Sequence, residues 1–458
     1  MSHTDGKLIN RWNVVIGAIL IQLCLGAIYA WSVFTPVLKE AGWTGAQSQY
    51  VFSAGLASFA VVMVIAGRLM PKIGPQKLAF AGGAVLGIGY ILAGLIGAGV
   101  NFWSTFIFVG IVGGAGIGLA YVVPIAVGMR WFPDKKGLIT GLAVAGFGFG
   151  AMLWVKLGGS WGHMLENIGI STTFMIYGVA FFIAVAIGSK YMIFPPKGYV
   201  PEGWVPPVVS GTGFRNVEDK DFSSGEMLRT PQFYMLLLIF AFGASAGLMS
   251  IGLMKLFPIE ALEGNGYSIA EASAIAGTAM AVFFSLANGL GRILWGMASD
   301  KLGRRKSIII MMATQAVFVI CFQWAAGTPL LLYLFAALIG FNFGGNFALF
   351  PTATADIFGT RYVGQNYGWV FLAYGVGGIL GPVLGGKLGD MKNFPMAFTI
   401  CGVLCLIAAG ITMAVRSPHK PHMHLSDANS SAGAGSSNTP TTGSPGINQG
   451  TGATASAS

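Results

Sequence analysis

The sequence predicts an all-α membrane protein, with twelve transmembrane helices in two six-helix bundles. Three observations carry this reading. Hydrophobic residues make up 54% of the 458-residue chain and charged residues only 9%, where a soluble domain carries roughly 25% charged residues. The apolar residues fall in twelve long runs. Between the sixth and seventh runs stands one long polar, Pro-rich stretch that divides the spans evenly. The 69 glycines fit the same class, because small residues let membrane helices approach closely.

A helix needs about 20 apolar residues to cross the bilayer core. Runs of that length lie near 12–38, 47–68, 77–98, 102–128, 137–162, 171–193, 232–258, 270–296, 306–326, 330–355, 364–388 and 396–415. The first is a full span with no Ala-x-Ala pattern, so it reads as a helix and not as a cleaved leader. The chain thus divides into a first bundle over 1–193, a cytoplasmic linker over 194–231 and a second bundle over 232–416. A Ser/Gly/Thr/Pro-rich tail over 417–458 cannot bury a core and is expected to be disordered. His419, His422 and His424 lie in that tail and read as part of a flexible segment rather than as a metal site. Cys24, Cys321, Cys401 and Cys405 all fall in apolar runs, without metal-site or disulfide spacing.

Charge sets the orientation. With the N-terminus in the cytoplasm, Lys39, Lys156, Lys255, Lys387 and Lys392 lie at or near the outer side. Arg292 lies inside a span, and the other Lys and Arg are cytoplasmic or terminal. This satisfies the positive-inside tendency. The net charge of +10 is then a topology signal, and no nucleic-acid partner is expected. Both termini are expected in the cytoplasm, and the protein is read as a monomer in the cell membrane.

The halves repeat. Gly113/Gly340, Gly118/Gly345, Pro124/Pro351, Gly137/Gly364, Gly141/Gly368, Gly148/Gly375 and Gly150/Gly377 share one constant offset. A second echo sets Gly67-x-x-x-Pro71-Lys72-x-Gly74 against Gly296-x-x-x-Asp300-Lys301-x-Gly303. Related halves of this kind suit a transporter, with substrate at the repeat interface near the midplane.

The second echo, GMASDKLGRRK (Gly296–Lys306), resembles the loop signature of the major facilitator superfamily, and GRLMPKIGPQK (Gly67–Lys77) is a degenerate copy in which Pro71 replaces the acid. Four further stretches resemble the oxalate:formate antiporter family and its monocarboxylate-carrying relatives. They are RWFPDKKGL (Arg130–Leu138), DKDFSSGEMLRTPQFY (Asp219–Tyr234), ALFPTATADIFGT (Ala348–Thr360) and NYG (Asn366–Gly368). The resemblance runs from about Arg11 to Arg416. It implies a major facilitator fold, transport of small carboxylates by alternating access, and a cytoplasmic loop motif carried by Asp300, Lys301 and Arg304. Arg130, Lys135 and Lys136 are expected at the cytoplasmic gate, with acidic partners that the sequence does not identify.

Arg292 is the sharpest local signal. An ionisable group inside a span is expensive, and its default reading is functional; the guanidinium fork matches a carboxylate and stays charged. The resemblance implies that it holds the anion. The competing reading is an Arg that snorkels toward the cytoplasm, with Asp300 about two turns away. Asn288 stands one turn before Arg292 on the same face, where it either orients the guanidinium or bonds another helix. The resemblance further implies that Tyr29, Tyr121, Phe343 and Phe347 line the cavity, with Asn342 and Asn346 among them; without it each aromatic reads as packing. Trp31 suits an interface anchor as well as a cavity. Tyr374 matches a position at which the family's oxalate exchanger carries Lys. A hydroxyl donates a hydrogen bond but no charge, and two cations suit a dianion while one suits a monoanion. Lys156 and Lys255, near outer span ends, are read either as snorkelling cations or as a vestibule that attracts anions.

The Asp and Glu residues all lie in loops, tails or span ends, and no His is mid-span. A protein-borne proton relay inside the membrane is therefore not expected. Coupling is expected through the substrate, by proton symport or by anion exchange. The sequence carries no P-loop, Gly-x-Ser-x-Gly or ligand cluster. It reads as a carrier and not an enzyme, with no cofactor and no metal. The expected substrate is a small monocarboxylate of formate, lactate or pyruvate size, and the alternative is oxalate:formate exchange.

Overall fold

The structure, a computed structural model, describes residues 9–43, 45–97, 101–159, 161–196, 198–204, 221–253, 256–416 and 418. All of these lie in one compact unit, Met1–Pro418. Lys255, the middle of the linker and nearly all of the tail fall outside the described residues.

The membrane helices in chain order are α1 (Arg11–Leu25), α2 (Gly45–Ile73), α3 (Pro75–Leu95), α4 (Gly114–Trp131), α5 (Lys136–Gly158) and α6 (Met164–Ser189). They are followed by α7 (Pro231–Leu253), α8 (Ser285–Leu302), α9 (Arg304–Ala325), α10 (Pro329–Phe358), α11 (Val363–Asp390) and α12 (Phe394–Ala414). Among the described residues, 11 helices are long and apolar enough to cross a membrane. Helix α11 occupies the remaining expected span.

Four spans depart from a plain α-helix, and one of them, α6, is kinked at Gly169, whose φ is 73°. The first expected run continues past α1 as a 3-10 segment, Gly26–Val33, which carries Tyr29. A Cβ on Gly26 would overlap the Phe147 backbone, so α1 and α5 meet there at a distance only Gly permits. The spans that end in α4 and α8 each begin with an α-helical stretch, Phe102–Thr105 and Ile269–Thr278, followed by a π segment, Phe106–Gly113 and Ala279–Phe284. Such segments are rare and recur at functional sites.

Packing follows the repeat. In the first half α3 lies on α6, α2 on α4 and α1 on α5; in the second, α7 lies on α11, α8 on α10 and α9 on α12. Two seams join the halves, α5 with α8 and α2 with α11. They are built alike. A Cβ on Gly137 would overlap the Gly296 carbonyl, and one on Gly67 the Gly364 carbonyl. One turn further on, Gly141 faces the backbone of Arg292 and Ile293, as Gly368 faces that of Met63 and Val64. Gly137/Gly364, Gly141/Gly368 and Gly67/Gly296 are repeat partners in the sequence. Arg292 therefore stands where the other seam has Met63.

Candidate substrate-binding site

Arg292 is 0% exposed. Side chains on a helix lean toward its N-terminus, which on α8 is away from Asp300. Its Nε donates to Asn288 Oδ1 at 3.0 Å, and its Nη1 crosses the α5 seam to donate to the Val144 carbonyl at 2.9 Å. Its ζ carbon lies 4.2 Å from the Phe347 ring centroid and 5.7 Å from that of Phe147. Burial and direction together rule out the snorkelling arrangement in this conformation. Asn288 bonds the guanidinium and holds its plane.

Among the described residues, Nη2 has no hydrogen-bond partner and no carboxylate pairs with the guanidinium. An isolated buried cation costs several kcal/mol. Contact with an aromatic face returns about 0.5–2 kcal/mol, and the two acceptors are neutral. The surroundings fix this charge without neutralising it, and an anion at Nη2 would do so.

The Tyr29 and Tyr374 hydroxyls meet at 2.5 Å and join the 3-10 segment after α1 to α11. Tyr374 packs edge-on against Phe347 at 5.5 Å, and Tyr29 against Phe147 at 5.1 Å, so this pair abuts both rings that flank the guanidinium. Phe343 packs on Phe347 at 5.3 Å and fills the space over Gly247 on α7. Tyr121 lies 5.5 Å from Phe147, and its hydroxyl has no partner among the described residues. Asn342 serves helix packing: it accepts from Trp295 Nε1 at 3.0 Å and donates to Thr314 Oγ1 at 2.9 Å. Asn346 donates to the Phe343 carbonyl at 3.1 Å. Trp31 is buried beside Phe34, as an interior residue rather than an interface anchor.

Residues not singled out from the sequence complete the box. Phe371 is its hub, with ring centroids 5.1 Å from Phe59, 5.3 Å from Tyr121, 5.2 Å from Tyr374 and 5.7 Å from Tyr367. Nothing in the sequence separates such a ring from ordinary packing.

Below the box, at the face where α1 begins, polar contacts close the α5/α8 seam. Asp300 accepts from the Gly137 and Leu138 amides at 2.9 and 2.8 Å, where an anion favourably meets the N-terminus of α5. Arg304 pairs with Asp300 at 2.7 Å and with Asp356 at 3.0 Å. Lys136 pairs with Asp356 at 3.1 Å, which names the acid the sequence left open. Lys301 and Lys135 are exposed. Arg130 lies over Phe194 and donates to the Arg361 carbonyl at 2.5 Å, with the Asp221 carboxylate near enough to favour its charge. At the α2/α11 seam, Pro71 stands where Asp300 stands in the other. There Arg68 lies 5.1 Å over the Trp369 ring. At the far face, Lys156 is half-buried at the end of α5.

The profile of the Major Facilitator Superfamily matches residues 14–286 and 253–442. The chain belongs to the major facilitator superfamily. Membership makes it a multi-pass membrane transporter with an all-α fold. An Escherichia coli K12 superfamily protein, the uncharacterized MFS-type transporter YhjX, is 30% identical over 81% of this chain and 86% of its own. The oxalate:formate antiporter of Oxalobacter formigenes is 29% identical over 89% of this chain and 91% of its own. The apicoplast pyruvate carrier 1 of Toxoplasma gondii is 23% identical over 92% of each chain. Solved superfamily structures share the fold. The proton:xylose symporter XylE superposes with a TM-score of 0.64 at 14% identity, over 88% of this chain and 95% of its own.

Proposed function

We propose that this transporter carries small monocarboxylates by alternating access, and that Arg292 binds the carboxylate. The observation that supports this best is the buried Arg292 guanidinium, fixed by Asn288 and flanked by Phe347, with Nη2 unpartnered among the described residues. A carboxylate arriving there engages a fork with matching geometry. To bind both terminal nitrogens it competes with the Val144 carbonyl for Nη1, so ligand binding loosens a contact between the halves. Tyr374 contributes a hydroxyl beside this charge and no second cation, which suits one negative charge.

The two groups of six helices, over 1–193 and 232–416 and joined by the linker 194–231, are the bodies that rock. Asp300, Arg304, Lys136 and Asp356 form the gate on their cytoplasmic side, where both termini lie. Tyr29, Tyr121, Phe343 and Phe347 line the cavity, and Lys156 faces the outer vestibule. No mid-span acid in the sequence offers a proton relay, so coupling runs through the substrate: either the acid carries its own proton or one anion exchanges for another.

The test is counterflow of labelled formate, lactate, pyruvate and oxalate in proteoliposomes, with and without a proton gradient. Saturable, trans-stimulated flux of the monocarboxylates supports the reading. Oxalate as the best substrate overturns it in favour of oxalate:formate exchange.

A further inference from the structure

Two hydroxyls inside the aromatic box make no hydrogen bond to the fold among the described residues. Tyr121 on α4 is 1% exposed and Tyr367 on α11 is 0% exposed. Neither hydroxyl has a hydrogen-bond partner among the described residues. A buried hydroxyl without a partner costs roughly 1–3 kcal/mol, and Phe at either position would pack the same ring without it. The Tyr29 and Tyr374 hydroxyls differ, since they bond each other. Both unpartnered tyrosines pack on one ring, Phe371, at 5.3 and 5.7 Å. Phe371 in turn lies 6.5 Å from Phe347, the ring that carries the Arg292 guanidinium. Among the described residues, two vacant hydrogen-bonding groups thus stand near a vacant guanidinium nitrogen, Tyr121 one ring away through Phe147 and Tyr367 two rings away through Phe371 and Phe347.

We propose that the Tyr121 and Tyr367 hydroxyls form a second polar subsite, which recognises the 2-hydroxy or 2-oxo oxygen of a short 2-substituted monocarboxylate. The proposal rests on Arg292 as the carboxylate ligand and adds what reads the rest of the molecule. A phenol both donates and accepts, so one pair of hydroxyls serves a keto oxygen and a hydroxyl alike. An unsubstituted acid of similar size leaves both phenols unpaired, and a site built for a polar group discriminates against analogues that lack it. Tyr367 is then a specificity-determining residue for the carrier.

The test is competition in proteoliposomes. Uptake of labelled lactate is measured against unlabelled lactate, pyruvate, propionate and acetate, for the full-length wild type, Tyr367→Phe and Tyr121→Phe. Both substitutions keep the ring, and an unchanged melting temperature confirms the fold. The expected result is that each variant loses about three- to tenfold in apparent affinity for lactate and pyruvate, the factor of one neutral hydrogen bond. In Tyr367→Phe affinity for propionate and acetate stays where it was, and in Tyr121→Phe the loss for lactate and pyruvate exceeds any loss for propionate and acetate. Equal changes for all four acids, or none for any, overturn the subsite and leave the Arg292 reading standing. A wild type that takes up none of the four acids saturably overturns the carrier reading itself, and the subsite with it.

Discussion

Replacing Arg292 by Gln removes the charge from the aromatic box while keeping a polar side chain of moderate length. In the structure the guanidinium bonds Asn288 and Val144 and leaves Nη2 for a ligand. A hydrogen bond to a charged group contributes about 1.5–3 kcal/mol. At about 1.4 kcal/mol per factor of ten, losing one such bond to the substrate weakens binding roughly 10- to 100-fold. Gln does not span to the Val144 carbonyl either, so the α5/α8 seam loses a tie and the two conformations shift in population. Arg292→Lys keeps the charge but loses the fork, and is expected to fall between the wild type and Arg292→Gln. The assay is concentration-dependent uptake of labelled lactate in proteoliposomes, with thermal stability as a control. An Arg292→Gln carrier with a KM within threefold of wild type and the same pH dependence refutes the assignment of the anion to this residue.

Other perturbations test the rest of the account. Asn288→Ala frees Nε to rotate, and affinity is expected to fall about three- to tenfold, in line with one lost hydrogen bond; unchanged affinity makes Asn288 a packing residue. Gly141→Leu drives a side chain into the backbone of Arg292 and Ile293. Transport should fall to background in protein that still reaches the membrane, and an active variant contradicts a seam that must close. Asp356→Asn weakens the partners of Lys136 and Arg304 at once. In a chain cleared of its 4 native cysteines, a Thr140→Cys probe behind this gate should react faster with an impermeant thiol reagent from the cytoplasmic side. Equal rates with and without Asp356→Asn would argue that these ion pairs do not hold the gate.

The positions of the spans and the site's central charge were legible because both are one-dimensional signals. A run of apolar residues is visible without neighbours, and Arg292 interrupts one. The repeat was legible because glycine at a close crossing cannot be replaced; the pairs Gly137/Gly364 and Gly141/Gly368 mark the two seams. The direction of the Arg292 side chain was not legible, since Asn288 and Asp300 lie on opposite sides of it along α8; its burial and its bonds to Asn288 and to the Val144 carbonyl on α5 settle the choice. Nor were the partners of Asp300, which are backbone amides more than a hundred residues away. The aromatic box shows the deepest limit. Phe181 is 0% exposed and Phe182 is 38% exposed, yet the two are adjacent and chemically identical. Phe59, Phe147 and Phe371 acquire meaning only when three helices, α2, α5 and α11, bring their rings together.

A binding site with a single cation suits a substrate with one negative charge. This match is tested most directly by adding the second cation. Lactate and oxalate are compared as competitors of labelled lactate uptake for the wild type and for Tyr374→Lys, which replaces the hydroxyl bonded to Tyr29 with an ammonium group. Lactate is expected to outcompete oxalate in the wild type, and oxalate to gain at least tenfold on lactate in Tyr374→Lys, by roughly the worth of one charge-assisted contact. A wild type that already prefers oxalate, or a Tyr374→Lys carrier whose preference is unmoved, contradicts the match.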